Sequence, residues 1–153
     1  VDLLQSWADM AETDGMGSVG KEAARWMIGP RSFRRLLPAL GSIGPLQLFN
    51  PANAFVSQVQ AILTTDDRSL NAELSNIECP TMVVVGNQDI LTPRGDAEEI
   101  ASLIPTAELV VISGGAHGLH IEHASTFNRI LLEFLGRAEK VFVSHGHAAA
   151  VAV

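Results

Sequence analysis

The chain has 153 residues, of which 47% are hydrophobic and 18% are charged, so it is long and apolar enough to bury a core. Its net charge of −7 argues against nucleic acid and anionic membranes as partners, and its apolar runs fall short of the ~20 residues that span a bilayer. Cys79 is the only cysteine, which excludes an internal disulfide and predicts a reducing, cytoplasmic location.

The first part of the chain, residues 1–66, has a helical pattern. Apolar residues at helical spacing predict helices over 2–13, 18–28, 32–40 and about 51–63. Ser18 is the expected N-cap of the second helix, and residues 41–50 have the glycine and proline content of a loop. The chain starts at Val1 rather than at Met and opens directly in a helix, so we expect an N-terminal portion to be missing.

The second part, residues 67–136, alternates between strands and helices. Valine-rich runs at 81–85 and 108–112 predict two strands, separated by a helix that starts at Pro93. Continuous apolar strands joined by a crossover helix are typical of a parallel sheet buried on both faces, so this sheet needs further strands. A last helix over 124–135 is expected to end at Gly136, followed by a poorly ordered tail over 137–153.

Each predicted strand is followed by a glycine-containing turn that delivers one ionisable residue. Asp89 follows the first strand and His117 the second. Because parallel strands present their C-terminal ends at the same edge of a sheet, we expect these residues to meet there. A carboxylate that orients an imidazole is the arrangement of general-base catalysis. No Gly-x-Ser-x-Gly elbow occurs in the sequence, so the nucleophile for such a pair is absent from this chain.

Other interpretations of these residues are less specific. Asp89 could be an ordinary turn residue and His117 a loop histidine with a structural hydrogen bond. His117, His120, Glu122 and His123 could suggest a metal, but they lack His-Glu-x-x-His spacing, and a passage from loop to helix would scatter their side chains. Glu122 is expected to cap or anchor the following helix. We therefore predict a catalytic pair without a metal or an organic cofactor.

Three pieces of the second part match one known family. They are residues 77–89 (IECPTMVVVGNQD) with Pro93 four residues on, residues 104–109 (IPTAEL), and Gly115-Ala116-His117 followed by Glu122 and Phe127. From about Ala61 to Leu135, the sequence resembles the C-terminal half of an α/β-hydrolase. The resemblance implies an α/β class and a partial α/β-hydrolase fold, in which a helical cap precedes the last strand–helix–strand–helix of a parallel sheet.

The resemblance also implies a function. Asp89 and His117 match the acid and the base of a Ser-His-Asp triad that cleaves a carboxylic ester or lactone without a cofactor. Gly15-Met16 and residues 61–66 (AILTTD) are most similar to the 3-oxoadipate enol-lactonase-like branch. The missing N-terminal half would supply the nucleophile, so we expect this chain alone to be inactive and to self-associate through an exposed sheet edge.

Two alternatives stay open. The chain could belong to a non-catalytic interaction module that reuses the hydrolase fold. It could also belong to a variant of the fold with haloperoxidase, dehalogenase or acyltransferase chemistry. The residue at the nucleophile elbow would separate most of these possibilities.

Overall fold

A computed structural model describes residues 2–35, 51–65 and 67–150, without the side chains of 67–69 and 144–150. The loop predicted over 41–50 and the end of the helix predicted over 32–40 lie outside the described residues. The described part of residues 1–66 is helical, with α1 (Asp2–Thr13), α2 (Met16–Met27), a helical segment at 30–35, and α3 (Ala52–Thr64). The helical pattern therefore predicted this part to within a few residues.

The start of α2 differs from the prediction that Ser18 is its N-cap. The helix begins at Met16, and the capping position is Gly15, whose φ of 81° lies in the left-handed region. Glycine adopts this conformation without steric penalty, so the chain can turn directly from α1 into α2 at this residue. The Ser18 hydroxyl instead donates to the carbonyl oxygen of Asp14.

Helices α1, α2 and α3 share one hydrophobic core, which we call the helical core. It consists of small and medium side chains around one tryptophan, and its buried members are Trp7, Ala8, Ala11, Val19, Ala23, Val56 and Val59. The alanines let the helices approach closely, and the tryptophan fills the remaining space. Leu91, from the second part of the chain, also packs against this core.

The second part begins with α4 (Asp67–Leu74) and builds a small parallel sheet. Strand β1 (Thr81–Gly86) pairs with β2 (Ala107–Ile112), and α5 (Arg94–Leu103) makes the crossover and packs on both strands. The register pairs Thr81 with Ala107 and ends with Gly86 beside Ile112. This arrangement is the predicted strand–helix–strand order, and it brings both strands to an end at the same level.

The sheet is incompletely covered. The described residues contain two strands, and most strand residues are only half-buried. An open groove of about 600 Å³ is lined by residues of β1 and α5 together with Asn71, Thr92 and no residue of β2. Large apolar side chains such as Phe142, which is 80% exposed, and Leu132, which is 68% exposed, face solvent. This architecture is a partial α/β fold.

The end of the chain contains α6 (Leu119–Glu122) and α7 (Ala124–Ala150). The prediction that Gly136 ends the last helix is wrong, because α7 runs through this glycine to Ala150. A single glycine costs about 1 kcal/mol in a helix, and strong helix formers from Arg137 to Lys140 compensate for it. None of the helices in the described part is both long and apolar enough to cross a bilayer. The division into 1–66, 67–136 and 137–153 stays a prediction.

Candidate active site

Asp89 and His117 lie side by side beyond the C-terminal ends of β1 and β2. The imidazole Nδ1 of His117 is 3.0 Å from Oδ2 of Asp89. The strand register accounts for this contact, because Gly86 and Ile112 end the two strands as a pair and only short turns lead from them to the two side chains. The structure thus brings together the two residues that sequence analysis selected as candidates.

Backbone hydrogen bonds hold the two turns against each other. The amide of Asn87 donates to the carbonyl of Ile112 over 3.1 Å, and the amide of Gln88 donates to the carbonyl of Gly115 over 2.9 Å. In return, the amide of Gly114 donates to Oδ1 of Asn87 over 2.7 Å. The relative position of Asp89 and His117 is therefore set by the backbone of both turns, in addition to the bond between their side chains.

Two glycines permit this close approach. A Cβ atom on Gly86 would lie 2.1 Å from the carbonyl oxygen of Gly115, so no larger residue fits there without moving the backbone. Gly114 has a φ of 80°, a conformation that L side chains rarely adopt. The small residues therefore allow close contact between the turn at 87–89, which we call the acid turn, and the turn at 113–117, which we call the histidine turn.

The carboxylate of Asp89 is buried and fully hydrogen-bonded. Its Oδ1 accepts from the amides of Leu91 at 2.9 Å and Thr92 at 3.0 Å. Its Oδ2 accepts from the Thr92 hydroxyl at 2.9 Å and faces Nδ1 of His117. Burial raises the pKa of Asp89, but the hydrogen bonds from Thr92, His117 and Leu91 outweigh burial and hold this pKa below its ordinary value. Asp89 is accordingly ionised at neutral pH.

The tautomer of His117 follows from the number of hydrogen-bonding protons that are available around Asp89. Thr92 Oγ1 lies 2.9 Å from Oδ2 of Asp89 and 3.2 Å from Nδ1 of His117, yet its hydroxyl carries one proton. If that proton went to Nδ1, two acceptors, Nδ1 and Oδ2, would face each other at 3.0 Å without a hydrogen between them. Nδ1 therefore carries the proton in the neutral ring, and Nε2 is left with its lone pair.

The imidazole of His117 is accessible for chemistry. Its side chain is 36% exposed, whereas that of Asp89 is 4% exposed. Among the residues that the structure describes, no hydrogen bond to Nε2 is present. A buried carboxylate that holds Nδ1–H while Nε2 stays open to a reacting group is the geometry of a general base.

Two residues around this pair were missed as contributors to it. Thr92 ends a turn in which the Asp89 side chain accepts from the backbone amides two and three residues on. The only sequence signal for its role is the Asp-x-x-Thr spacing.

Glu122 was expected to cap or anchor the following helix, and this expectation is wrong. Its carboxylate points back and accepts from the amides of Gly29 and Ala116.

The residues considered for a metal do not converge. Both carboxylate oxygens of Glu122 are bonded to backbone amides, and the ring of His120 meets Phe127 edge-on with centroids 6.2 Å apart. Within the described ranges, no group of three or more His, Cys, Asp or Glu side chains is placed to hold a metal ion.

A comparison with protein families supports the resemblance seen in the sequence. The family model of the alpha/beta hydrolase fold matches residues 42–124, which is more than half of the chain. The match includes β1, β2, Asp89 and His117.

Known proteins give a consistent result. A RutD protein of Stutzerimonas stutzeri, provisionally assigned as a carbamate hydrolase, is 31% identical over 87 residues, covering 57% of this chain and 32% of the relative. The serine hydrolase BPHL of Mus musculus is 36% identical over 59 residues, which cover 39% of this chain and 20% of that relative. The crystal structure of an enol-lactonase from Burkholderia xenovorans LB400 superposes with a TM-score of 0.77 at 23% identity.

These matches also show how much of such proteins the chain represents. The superposition covers 88% of this chain but only 50% of the enol-lactonase. The chain spans about a third of the RutD relative and half of the enol-lactonase.

Proposed function

The chain belongs to the α/β-hydrolase fold family, and on that premise we propose that it supplies the acid and the base of a Ser-His-Asp triad that cleaves a carboxylic ester or lactone. The observation that carries the proposal is the 3.0 Å contact between Nδ1 of His117 and the buried carboxylate of Asp89 at the C-terminal edge of the sheet. In open α/β sheets this edge is where ligands bind.

In each half of the proposed reaction His117 acts first as a general base and then as a general acid. His117 Nε2 takes the proton of a serine hydroxyl while the serine oxygen attacks the carbonyl carbon of the substrate. The imidazolium returns that proton to the leaving alkoxide as the acyl–oxygen bond breaks. Water then enters and gives a proton to Nε2 while its oxygen attacks the acyl carbon, and the imidazolium returns that proton to the serine oxygen as the acyl–serine bond breaks. Asp89 stays ionised throughout and stabilises the imidazolium. No metal or organic cofactor takes part.

The nucleophile and the oxyanion donors of this proposal lie outside the chain. The sequence contains no Gly-x-Ser-x-Gly elbow, and the chain spans half the length of the enol-lactonase that it superposes on. In the described residues β1 pairs only with β2, so its other edge is free for a further strand of the fold to pair with it. The proposed partner is therefore the N-terminal half of an α/β-hydrolase, and the chain by itself should associate through the open edge of β1.

The substrate class rests on chemistry that is shared with relatives. Carbamates, esters and lactones all present a carbonyl carbon to an attacking oxygen, and the two curated relatives are described as a carbamate hydrolase and a serine hydrolase. The Gly15-Met16 and AILTTD segments point to the lactonase-like branch within this class.

As part of the same proposal we place the protein in the cytoplasm, because its one cysteine, Cys79, is free and exposed.

The proposal is tested with two preparations. The 153-residue chain alone should not hydrolyse p-nitrophenyl acetate in a manner that depends on His117. The product of the complete reading frame should hydrolyse it, should react with a fluorophosphonate probe at a serine, and should lose its activity in His117→Ala and Asp89→Asn. Turnover by the chain alone that His117→Ala abolishes would contradict an external nucleophile. A folded complete protein that neither reacts with the probe nor hydrolyses an ester or an enol-lactone would favour the interaction module.

A further inference from the structure

We propose that Glu122 is a positioning residue, which ties the helical cap to the histidine turn, so that docking of the cap adds to the alignment of His117. The inference rests on the proposed function and adds to it a residue and a role that the triad does not contain. It starts from a buried carboxylate that the proposed reaction does not use.

Glu122 is 8% exposed, and both of its carboxylate oxygens are occupied. Oε1 accepts from the amide of Gly29 over 2.9 Å, and Oε2 accepts from the amide of Ala116 over 2.8 Å. In the described part of the chain no Lys, Arg or His forms an ion pair with Glu122. Burying a carboxylate is unfavourable unless its lone pairs are satisfied, so this position requires both amide donors at their present places.

The two amides belong to different parts of the fold. Gly29 lies between the end of α2 and the helical segment at 30–35, whereas Ala116 immediately precedes His117. A second bond repeats the connection on the other side of the histidine, since the amide of Gly118 donates to the carbonyl of Met27 over 2.6 Å. Both residues that flank His117 are therefore anchored to the end of α2, one through Glu122 and one directly.

Close packing makes this connection rigid. A Cβ atom on Gly29 would lie 3.1 Å from Oε1 of Glu122, and one on Gly118 would lie 3.1 Å from the carbonyl oxygen of Met27. Leu91, two residues after Asp89, also packs against the helical core. A shift of α2 relative to the sheet must therefore move the backbone on both sides of His117. Asp89 takes its own backbone hydrogen bonds from Leu91 and Thr92 and not from the end of α2, so such a shift would change the distance between the imidazole and the carboxylate.

The decisive variant is Glu122→Gln in the product of the complete reading frame. Glutamine has the same shape, but it replaces one acceptor oxygen with an NH₂ group that faces an amide donor, so one of the two ties is lost. We expect kcat to fall about tenfold or more, because small misplacements of a catalytic group have effects of this size, while KM changes less than about twofold. Glu12→Gln, an exposed position on α1, is the matched control and should change neither constant.

A second readout does not require activity. Ring-nitrogen NMR should show His117 with its proton on Nδ1 in the parent protein and a mixture of tautomers in Glu122→Gln. Amide exchange should accelerate about tenfold or more in the variant at whichever of Gly29 and Ala116 faces the new NH₂ group, because a lost bond to a charged group is worth about that factor. A merely stabilising role would lower the melting temperature without changing the tautomer or separating kcat from KM.

Gly29→Ala covers the case in which Glu122→Gln does not fold. The added methyl group pushes on Oε1 from the cap side, so it should lower kcat in the same direction, and the double variant should be no worse than the more severe single one. Unchanged kcat and unchanged His117 tautomer in the folded variants would overturn the inference while His117→Ala still abolishes activity. If His117→Ala has no effect, the proposed function fails, and the NMR result still decides the role of Glu122.

Discussion

Gly86 and Gly115 touch so closely that a single Cβ atom on Gly86 would lie 2.1 Å from the carbonyl oxygen of Gly115. The contact joins the end of β1 to the histidine turn after β2. It limits how closely the acid turn and the histidine turn can approach each other, next to the 3.0 Å contact between Asp89 and His117.

The first prediction concerns this contact. Gly86→Ala should lower the free energy of unfolding by about 3 kcal/mol, because backbone must move to admit the methyl group. Urea unfolding followed by circular dichroism measures the change. Gly95→Ala in α5 is the control, since a Cβ there meets nothing within 4 Å, and it should be neutral or slightly stabilising. Equal stability of the two variants would show that the two turns are not packed as described.

The second prediction concerns the continuity of α7. A Cβ on Gly136 would meet nothing within 4 Å, and the residue lies in the interior of the helix. Gly136→Ala should therefore raise the free energy of unfolding by about 0.5–1 kcal/mol, since alanine loses less backbone entropy than glycine in a helix. Thermal unfolding measures it. If α7 instead ended at Gly136 with a left-handed residue, the same substitution would be destabilising.

The third prediction concerns the pH dependence that Asp89 imposes. Its pKa is lowered in the folded state, so the unfolded chain binds more protons below about pH 4 than the folded chain does. The stabilisation from Asp89 is thus complete above the unfolded pKa and is lost as the pH falls through the lower, folded pKa.

Asp89→Asn isolates this contribution, because the other carboxylates titrate equally in both proteins. The parent should be more stable than Asp89→Asn at pH 7, and the difference between their free energies of unfolding should shrink as the pH is lowered from about 4. Chemical unfolding between pH 2.5 and pH 7, expressed as that difference, is the measurement, over a range chosen to bracket about pH 4. A difference that stays constant or grows toward acid pH would mean that the folded pKa of Asp89 is not depressed.

The fourth prediction concerns Thr92. Its hydroxyl donates to Oδ2 of Asp89 over 2.9 Å, and Thr92→Val removes that donor at nearly constant shape. The loss should destabilise the fold by about 1 kcal/mol and raise the pKa of Asp89, because one hydrogen bond to the carboxylate is gone. Carboxyl-carbon NMR titration of Asp89 measures the pKa.

Thr13→Val is the control for Thr92→Val. The Thr13 hydroxyl donates to the backbone carbonyl of Asp9 at an exposed position of α1 and lies outside the candidate site. It should leave the titration of Asp89 unchanged. An Asp89 titration that Thr92→Val does not shift would argue that the hydroxyl donates elsewhere, and the tautomer assigned to His117 would then lose its basis.

Much of the fold could be predicted from local patterns. The spacing of Leu3, Trp7 and Ala11 predicts α1 with its observed bounds, because burial of one helical face depends only on the residues of that helix. The errors occur where a local rule competes with its neighbours. Ser18 is a good N-cap type, but Gly15 permits an earlier turn. Gly136 is a good terminator, but the residues on both sides favour helix.

By itself, the sequence determined which two residues to consider as a catalytic pair. Asp89 and His117 each follow a buried strand and a glycine turn, and parallel strands necessarily bring such turns to one edge. Only the tertiary structure decided what holds them there. Glu122 bonds Gly29 across 93 positions of sequence, and Gly86 meets Gly115 where two turns cross. Contacts between residues so far apart in the chain depend on how α2 and the two turns pack together, which no local pattern of residues encodes.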